Sequence, residues 1–239
     1  MNAVFDEQAL RFLSENSRQN SREWFQSHKE EYQRSVVQPL AVLTEELALA
    51  MREIDSQIVC DPRIDGSISR IYRDVRFSRD KRLYRESAWV VWTRNKKAYE
   101  TMPAFYFEIL PGGFEYGCGF YSAGTRTMEA LRRLVLAGDA GFLDARKSYT
   151  ALKRRFLLYG EQYKRHRFPE ASPDLCEWLD RKNIGLSRRT DNTAELFSPE
   201  LTDVLERDFR LLAPVYQFFI RAGEIAEAEN PEKERRERF

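Results

Sequence analysis

The stretch AFYFEILPGGFEYGCGFY, Ala104–Tyr121, decides how the chain is read. Apolar and aromatic residues fill 104–110 and 114–121, and Leu110-Pro111-Gly112-Gly113-Phe114 stands between them. Two glycines supply the positive φ that a tight hairpin turn requires, so the two runs are expected to pair antiparallel. Upstream, a period of two starts at Ser67 and predicts strands at about 67–77 and 87–93. Ala88-Trp89-Val90-Val91-Trp92 is apolar on both faces, as in an interior strand. Helical patterns flank these strands. Asp6 is placed to cap a short first helix, with Phe5 stapled onto Leu10. Ser21 caps a longer one, whose stripe is Phe25, Tyr32, Val36, Leu40, Leu43, Leu47 and Met51, with a kink expected at Pro39. Downstream, a helix is expected from about Arg126 to Ala137 with Gly138 as its stop, and further helical pieces within 139–156. Phe156–Gln162 and Asn183–Arg189 are strand candidates, and Ser172-Pro173 is a helix start. Ser198-Pro199 opens a last helical section that Pro214 is expected to interrupt. Helices, then hairpin-connected strands, then helices point to an α+β fold, a mainly antiparallel sheet flanked by N-terminal and C-terminal helices. No flexible linker divides the chain, so one domain is expected over 1–229, followed by a charged tail at 230–239.

The 239 residues are 42% hydrophobic and 13% aromatic, which supports a sizeable core. The net charge of +1 gives no global attraction to nucleic acid or an anionic membrane. Cys60, Cys118 and Cys176 are odd in number and far apart, which argues against a disulfide framework and a zinc site. With His28 and His166 the only histidines, no metal and no cofactor are expected. The N-terminus lacks a basic start followed by an apolar run, and no stretch approaches eighteen apolar residues. The expectation is a cytoplasmic chain with no signal peptide and no membrane span. Its oligomeric state is not legible.

The charge is uneven. RIYRDVRFSRDKRLYR, Arg70–Arg85, holds seven basic and two acidic residues. In an extended strand, Arg70, Tyr72, Asp74 and Arg76 share one face, and Ile71, Arg73, Val75 and Phe77 the other. Arg73 then needs a carboxylate partner, Asp80 or Glu108, and removing it should cost roughly 3 kcal/mol. Arg73, Asp74, Asp80 and Glu108 form a candidate structural ion network. Arg70, Arg76, Lys81, Arg82, Tyr72 and Tyr84 are candidate contacts for a small anion, since guanidinium forks fit phosphate and carboxylate. Trp24, His28 and Lys29 are candidate walls of that pocket.

Glu108 is the one charge in an otherwise buried-looking strand, either a general acid or base or the partner of Arg73. Gly117 and Gly119 share a strand face and make room for a ligand or for a bulky neighbour such as Trp89. His28 reads as a core hydrogen-bonder and Cys118 as a buried thiol. No phosphate-loop or dinucleotide fingerprint is present.

Two stretches together, NSREWFQSHKEEY (Asn20–Tyr32) and SRIYRDVRFSRDKRLYR (Ser69–Arg85), resemble the family called domain of unknown function 2461, and FYFEILPGG…GCGFY and SPDLCEWLDRKNIGL fit it in order. The second stretch carries the specific pattern, at Arg70, Tyr72, Arg73, Asp74, Arg76, Phe77, Ser78, Asp80, Lys81 and Tyr84. The chain departs from it at Arg82-Leu83, where the family has a small residue and a proline, and at Arg85, where it has lysine. The resemblance implies a single α+β domain and assigns no reaction, cofactor or catalytic residue. Two functional classes follow from the residues. One is a binding module or enzyme with a small-anion pocket on 70–85. The other is a non-catalytic interaction scaffold in which those charges bridge one another. Nucleic acid is not an expected partner.

Overall fold

At the hairpin tip Gly112 takes φ +77°, the left-handed conformation its lack of a side chain permits. The computed structural model describes residues 3–76 and 78–230. Five strands form one antiparallel sheet: β1 (Ala88–Trp92), β2 (Ala104–Leu110), β3 (Gly113–Gly119), β4 (Leu157–Tyr159) and β5 (Gly185–Thr190), hydrogen-bonded in the order β1-β2-β3-β5-β4. The helices before the sheet are α1 (Glu7–Gln19), α2 (Arg22–Ser27), α3 (Lys29–Tyr32), α4 (Gln38–Glu46) and α5 (Ala48–Ile54). Those after β3 are α6 (Thr125–Leu136), α7 (Ala140–Leu152), α8 (Pro173–Leu179), α9 (Thr193–Leu196) and α10 (Leu201–Ala228). The fold is therefore α+β, with helices flanking the sheet. Among the described residues no helix is long and apolar enough to cross a membrane. The charged tail expected at 230–239 lies outside the described residues except for Asn230.

The described chain forms two compact units, each drawn from three separate segments. The first takes the chain up to Trp92, then 106–116 and 189–210. Asp6 accepts from the Gln8 N–H to start α1, and Ser21 accepts from the Trp24 N–H to start α2. The stripe from Phe25 to Met51 is buried throughout. Pro39 removes one backbone donor, and the turn just before it, Gln33–Val37, widens to five-residue spacing before α4 resumes. Phe5 stacks on Phe107 at 5.6 Å, and Phe209 meets Trp92 and Tyr116 edge-on. The Tyr116 hydroxyl donates to the fully buried Asp208 at 2.6 Å.

Two strand expectations need correction here. No regular strand forms over 67–76, and Phe77 lies outside the described residues. Instead Ser69 N–H donates to Trp89 O and Val91 N–H to Ser67 O, so 67–69 lines the free side of β1. That cover explains the interior look of β1, which is in fact the first strand of the sheet. Beyond it, Arg73 N–H donates to Leu83 O and Arg85 N–H to Ile71 O, with Tyr72 opposite Tyr84. The described part of the basic segment is thus a short hairpin neck, with 74–76 and 78–82 beyond its last rung. β2 also alternates: Phe105, Phe107 and Ile109 are buried while Tyr106 and Glu108 are half-exposed.

The second unit comprises 93–105, 117–188 and the chain from 211 onward. Its centre is Trp178 on α8, ringed by Phe142, Tyr149, Phe218 and Phe219 at centroid distances of 5.5 to 6.4 Å. β4 pairs with β5 from Leu157 opposite Ser187 to Tyr159 opposite Gly185. Pro214 does not interrupt the last helix: α10 runs through it. The packed stripe Leu212, Val215, Tyr216 and Phe219 holds the helix on both sides of the proline, and the Ser148 hydroxyl donates to the Leu211 carbonyl in the same turn.

Candidate functional site

Most cations of the basic segment meet carboxylates. Arg73 Nη1 lies 2.5 Å from Asp80, which also accepts from Arg82 at 2.9 Å; Arg82 reaches on to Glu86 at 3.0 Å. Arg76 and Asp74, neighbours on one side of the chain, meet at 2.6 Å, and Arg70 pairs with Asp65. Lys81 Nζ donates to the Val75 carbonyl at 2.9 Å. Arg85 donates to Tyr72 O and lies 4.6 Å over the Trp89 ring. Each of these cations therefore already has a partner, with Arg73 and Arg82 sharing Asp80. The segment meets α2 through Phe25, whose ring packs against Tyr72 at 5.7 Å and Tyr84 at 5.2 Å. Asn20 accepts from the Leu83 N–H at 2.7 Å. Trp24 and His28 stack on each other at 4.0 Å, His28 Nδ1 bonds the Trp24 carbonyl, and Lys29 is exposed.

The arginines hold both loop carboxylates below their usual range. Arg82 and then Arg73 act on Asp80; the side chain and backbone N–H of Arg76 bring Asp74 to about 2. A lowered carboxyl stabilises the folded loop above the ordinary carboxylate range and loses that effect as pH falls through the lowered value. A carbon-13 NMR titration should find the Asp74 midpoint near 2; a midpoint at the ordinary value would show the pair is not formed in solution.

Arg73 is half-buried, its side chain 24% exposed, and its partner is Asp80 rather than Glu108. Asp80 keeps Arg82 if Arg73 is lost. Arg73→Ala is therefore expected to fall well short of the roughly 3 kcal/mol of a truly buried pair, as urea unfolding will measure. Glu108 stands beside the Ser87 hydroxyl instead, and burial, with Glu115 nearby, pushes its carboxyl up. Gly117 and Gly119 admit the backbone of β5, not Trp89: a Cβ on Gly117 would lie 1.9 Å from the Leu186 carbonyl oxygen, and one on Gly119 2.4 Å from the Gly185 Cα. Cys118 is fully buried, and burial pushes its thiol up.

A cleft of about 470 Å³ opens in the second unit, where the chain passes from β4 through α8. Its walls include Tyr163, Lys164, His166, Cys176, Glu177 and Asp180. Ser172-Pro173 starts α8, which turns Trp178 and Leu179 inward and leaves Cys176 and Glu177 toward the opening. Asp180, buried at the helix end, accepts from the Arg167 N–H at 2.9 Å and from His166 Nδ1 at 2.6 Å. Burial raises its carboxyl, but these two donors outweigh it and leave the group below its ordinary value. Arg132, only 4% exposed, donates to the carbonyls of Leu179 and Arg181. Arg181 donates to those of Glu177 and Gly160. Arg132, Arg167 and Lys182 surround the Tyr163 ring at 5.6, 5.0 and 5.7 Å.

Sequence reasoning named Cys176 and His166 only in arguing against a metal site, and singled out no other polar residue of the cleft. The available signal was local and weak: Cys176 and Asp180 four residues apart after a proline-led helix start, with a histidine ten residues earlier.

The fold is α+β, and one family model covers most of the chain. The profile of the family described as "Conserved hypothetical protein (DUF2461)" matches residues 8–218. The chain belongs to that family. Neither the curated proteins nor the solved structures contain a match to it.

Proposed function

We propose that the chain binds a small anionic ligand, a carboxylate or a phosphate ester, in the cleft beside α8, and that the 70–85 segment organises the fold. The observation that carries this reading is the pair of buried guanidiniums beside the cleft, Arg132 and Arg181. Both are held by backbone carbonyls, with no carboxylate in salt-bridge reach among the described residues. Carbonyl dipoles satisfy N–H groups without neutralising a charge, and burial pulls both guanidiniums below their ordinary value; Asp180 and Glu177 on the wall offset part of that positive charge. Lys164 adds an exposed ammonium on the wall. The volume falls within the roughly 300–1,000 Å³ of small-ligand sites. In the 70–85 loop, by contrast, Arg73, Arg76 and Arg82 already meet carboxylates.

Thermal-shift and calorimetric screens with phosphate, sulfate, small carboxylates and phosphorylated metabolites test this. Stabilisation is expected, lost in Lys164→Ala and Arg132→Met and kept in Arg76→Ala and Lys81→Ala. The reverse pattern would return the site to the basic segment. Gel shifts with random DNA and RNA should show little at physiological salt. Absence of any small-molecule effect would favour the second reading, an interaction scaffold, which draws on the internal pairing of the basic loop.

A further inference from the structure

The cleft holds a second chemistry. His166, Cys176 and Asp180 present a ring nitrogen, a sulfur and a carboxylate oxygen that all lie within 4.8 Å of one another. The sulfur also faces two backbone carbonyls, Phe168 O at 3.7 Å and Ala171 O at 3.6 Å. The sulfur, the carboxylate and the two carbonyl oxygens bring lone pairs, and the ring nitrogen brings one once its hydrogen bond to Asp180 is given up. From this convergence we infer a divalent metal site of the zinc class, with Cys176, His166 and Asp180 as ligands and a remaining coordination position open to the cleft.

The alternative chemistry for a Cys–His–Asp group is a nucleophilic thiol. The two carbonyls speak against it. They accept the S–H proton and their dipoles oppose a bare thiolate, so a deprotonated sulfur here requires a cation next to it. The ligand set selects the metal. Magnesium and calcium take oxygen ligands throughout, whereas sulfur with imidazole and one carboxylate suits zinc. Thiolate and carboxylate together neutralise a dication, which matters beside Arg132. The structural cost of closure is small. Cys176 and Asp180 are fixed four residues apart at the end of α8, which is anchored by Trp178. His166 is exposed, so its ring is free to turn, exchanging its 2.6 Å hydrogen bond to Asp180 for the ion. Three protein ligands leave tetrahedral zinc one open position. That an anionic oxygen occupies it rests on the anion reading of the cleft; the metal site itself does not.

Metal-free full-length protein titrated with Zn²⁺ against a chromophoric chelator should bind one equivalent. Cys176→Ser and His166→Ala should each weaken binding by more than about 100-fold, beyond the loss of a merely supporting group. Cys60→Ser should change nothing. Co²⁺ should give a thiolate charge-transfer band that Cys176→Ser lacks. His166 is exposed, so its alanine variant is expected to fold, and it decides the matter if an Asp180→Asn variant does not. Zinc bound no more tightly by the wild type than by Cys176→Ser, or cobalt bound without the thiolate band, overturns the site. Anion stabilisation of the metal-free protein without zinc binding overturns the metal site alone. Zinc binding without any anion effect overturns the anion reading alone.

Discussion

Trp178→Ala should cost about 4 kcal/mol, the usual loss when a large aromatic side chain is deleted from a well-packed core. Trp178 is 1% exposed and touches aromatic rings from α7 and α10, namely Phe142, Tyr149, Phe218 and Phe219. No neighbouring backbone is free to collapse into the space, because those rings are braced by helices on two sides. The consequence reaches the cleft. Trp178 stands between Cys176 and Asp180 in the sequence and fixes the rotation of α8, and hence which side chains face outward. Urea unfolding should show a large drop in midpoint, and any variant protein that remains folded should also lose the anion stabilisation. A loss under 1 kcal/mol would mean that α8 is not anchored through this ring.

Gly160→Ala should be of similar size, for a different reason. Gly160 closes β4 with φ +123°, a conformation L side chains rarely adopt. A Cβ there would also lie 1.7 Å from the Asn183 carbonyl oxygen, and that atom belongs to the backbone and cannot swing aside. Backbone strain of about 1–3 kcal/mol and overpacking of about 1–3 kcal/mol act together. Relief requires moving β4 away from the 183–185 segment. Such movement also displaces the Gly160 carbonyl that holds Arg181 at 2.9 Å. The variant is therefore expected to lose several degrees in Tm and to weaken the cleft. Unchanged stability would show that the turn has a second conformation open to ordinary residues.

Where structure is set by near neighbours, the sequence was legible. Asp6 and Ser21 cap helices because one side-chain oxygen meets one nearby N–H. The buried stripe from Phe25 to Met51 follows from helical period alone, and the hairpin from its glycine pair, of which only Gly112 takes the positive φ expected of both. Misreadings arose where particular contacts, near or distant, override a periodic pattern. The alternation at 70–77 suits a strand, but Arg76–Asp74 and Arg82–Asp80 pair two residues apart and hold a loop. β1 looked interior because 67–69 lines its open side. Pro214 was read as a break because the rings that brace α10 are far away in the sequence. The cleft was the least legible. Arg132 on α6 reaches carbonyls at 179 and 181, and His166 reaches Asp180 from a loop, pairings that no spacing rule announces.

The three-segment make-up of each unit has a consequence for a chain emerging from the ribosome. Nothing complete can form early. Trp92 waits for Phe209, and Tyr116 for Asp208, so the first ninety or so residues remain without their last partners until α10 has been synthesised. During that interval the Trp92 and Tyr116 rings that α10 later covers are open to other nascent chains. The 67–69 segment then acts as a local guard, because it is made before β1 and can cover that strand as soon as Trp92 emerges. Weakening this cover should leave the finished protein nearly as stable but lower its soluble yield at high expression, since slow assembly exposes aggregation-prone edges for longest.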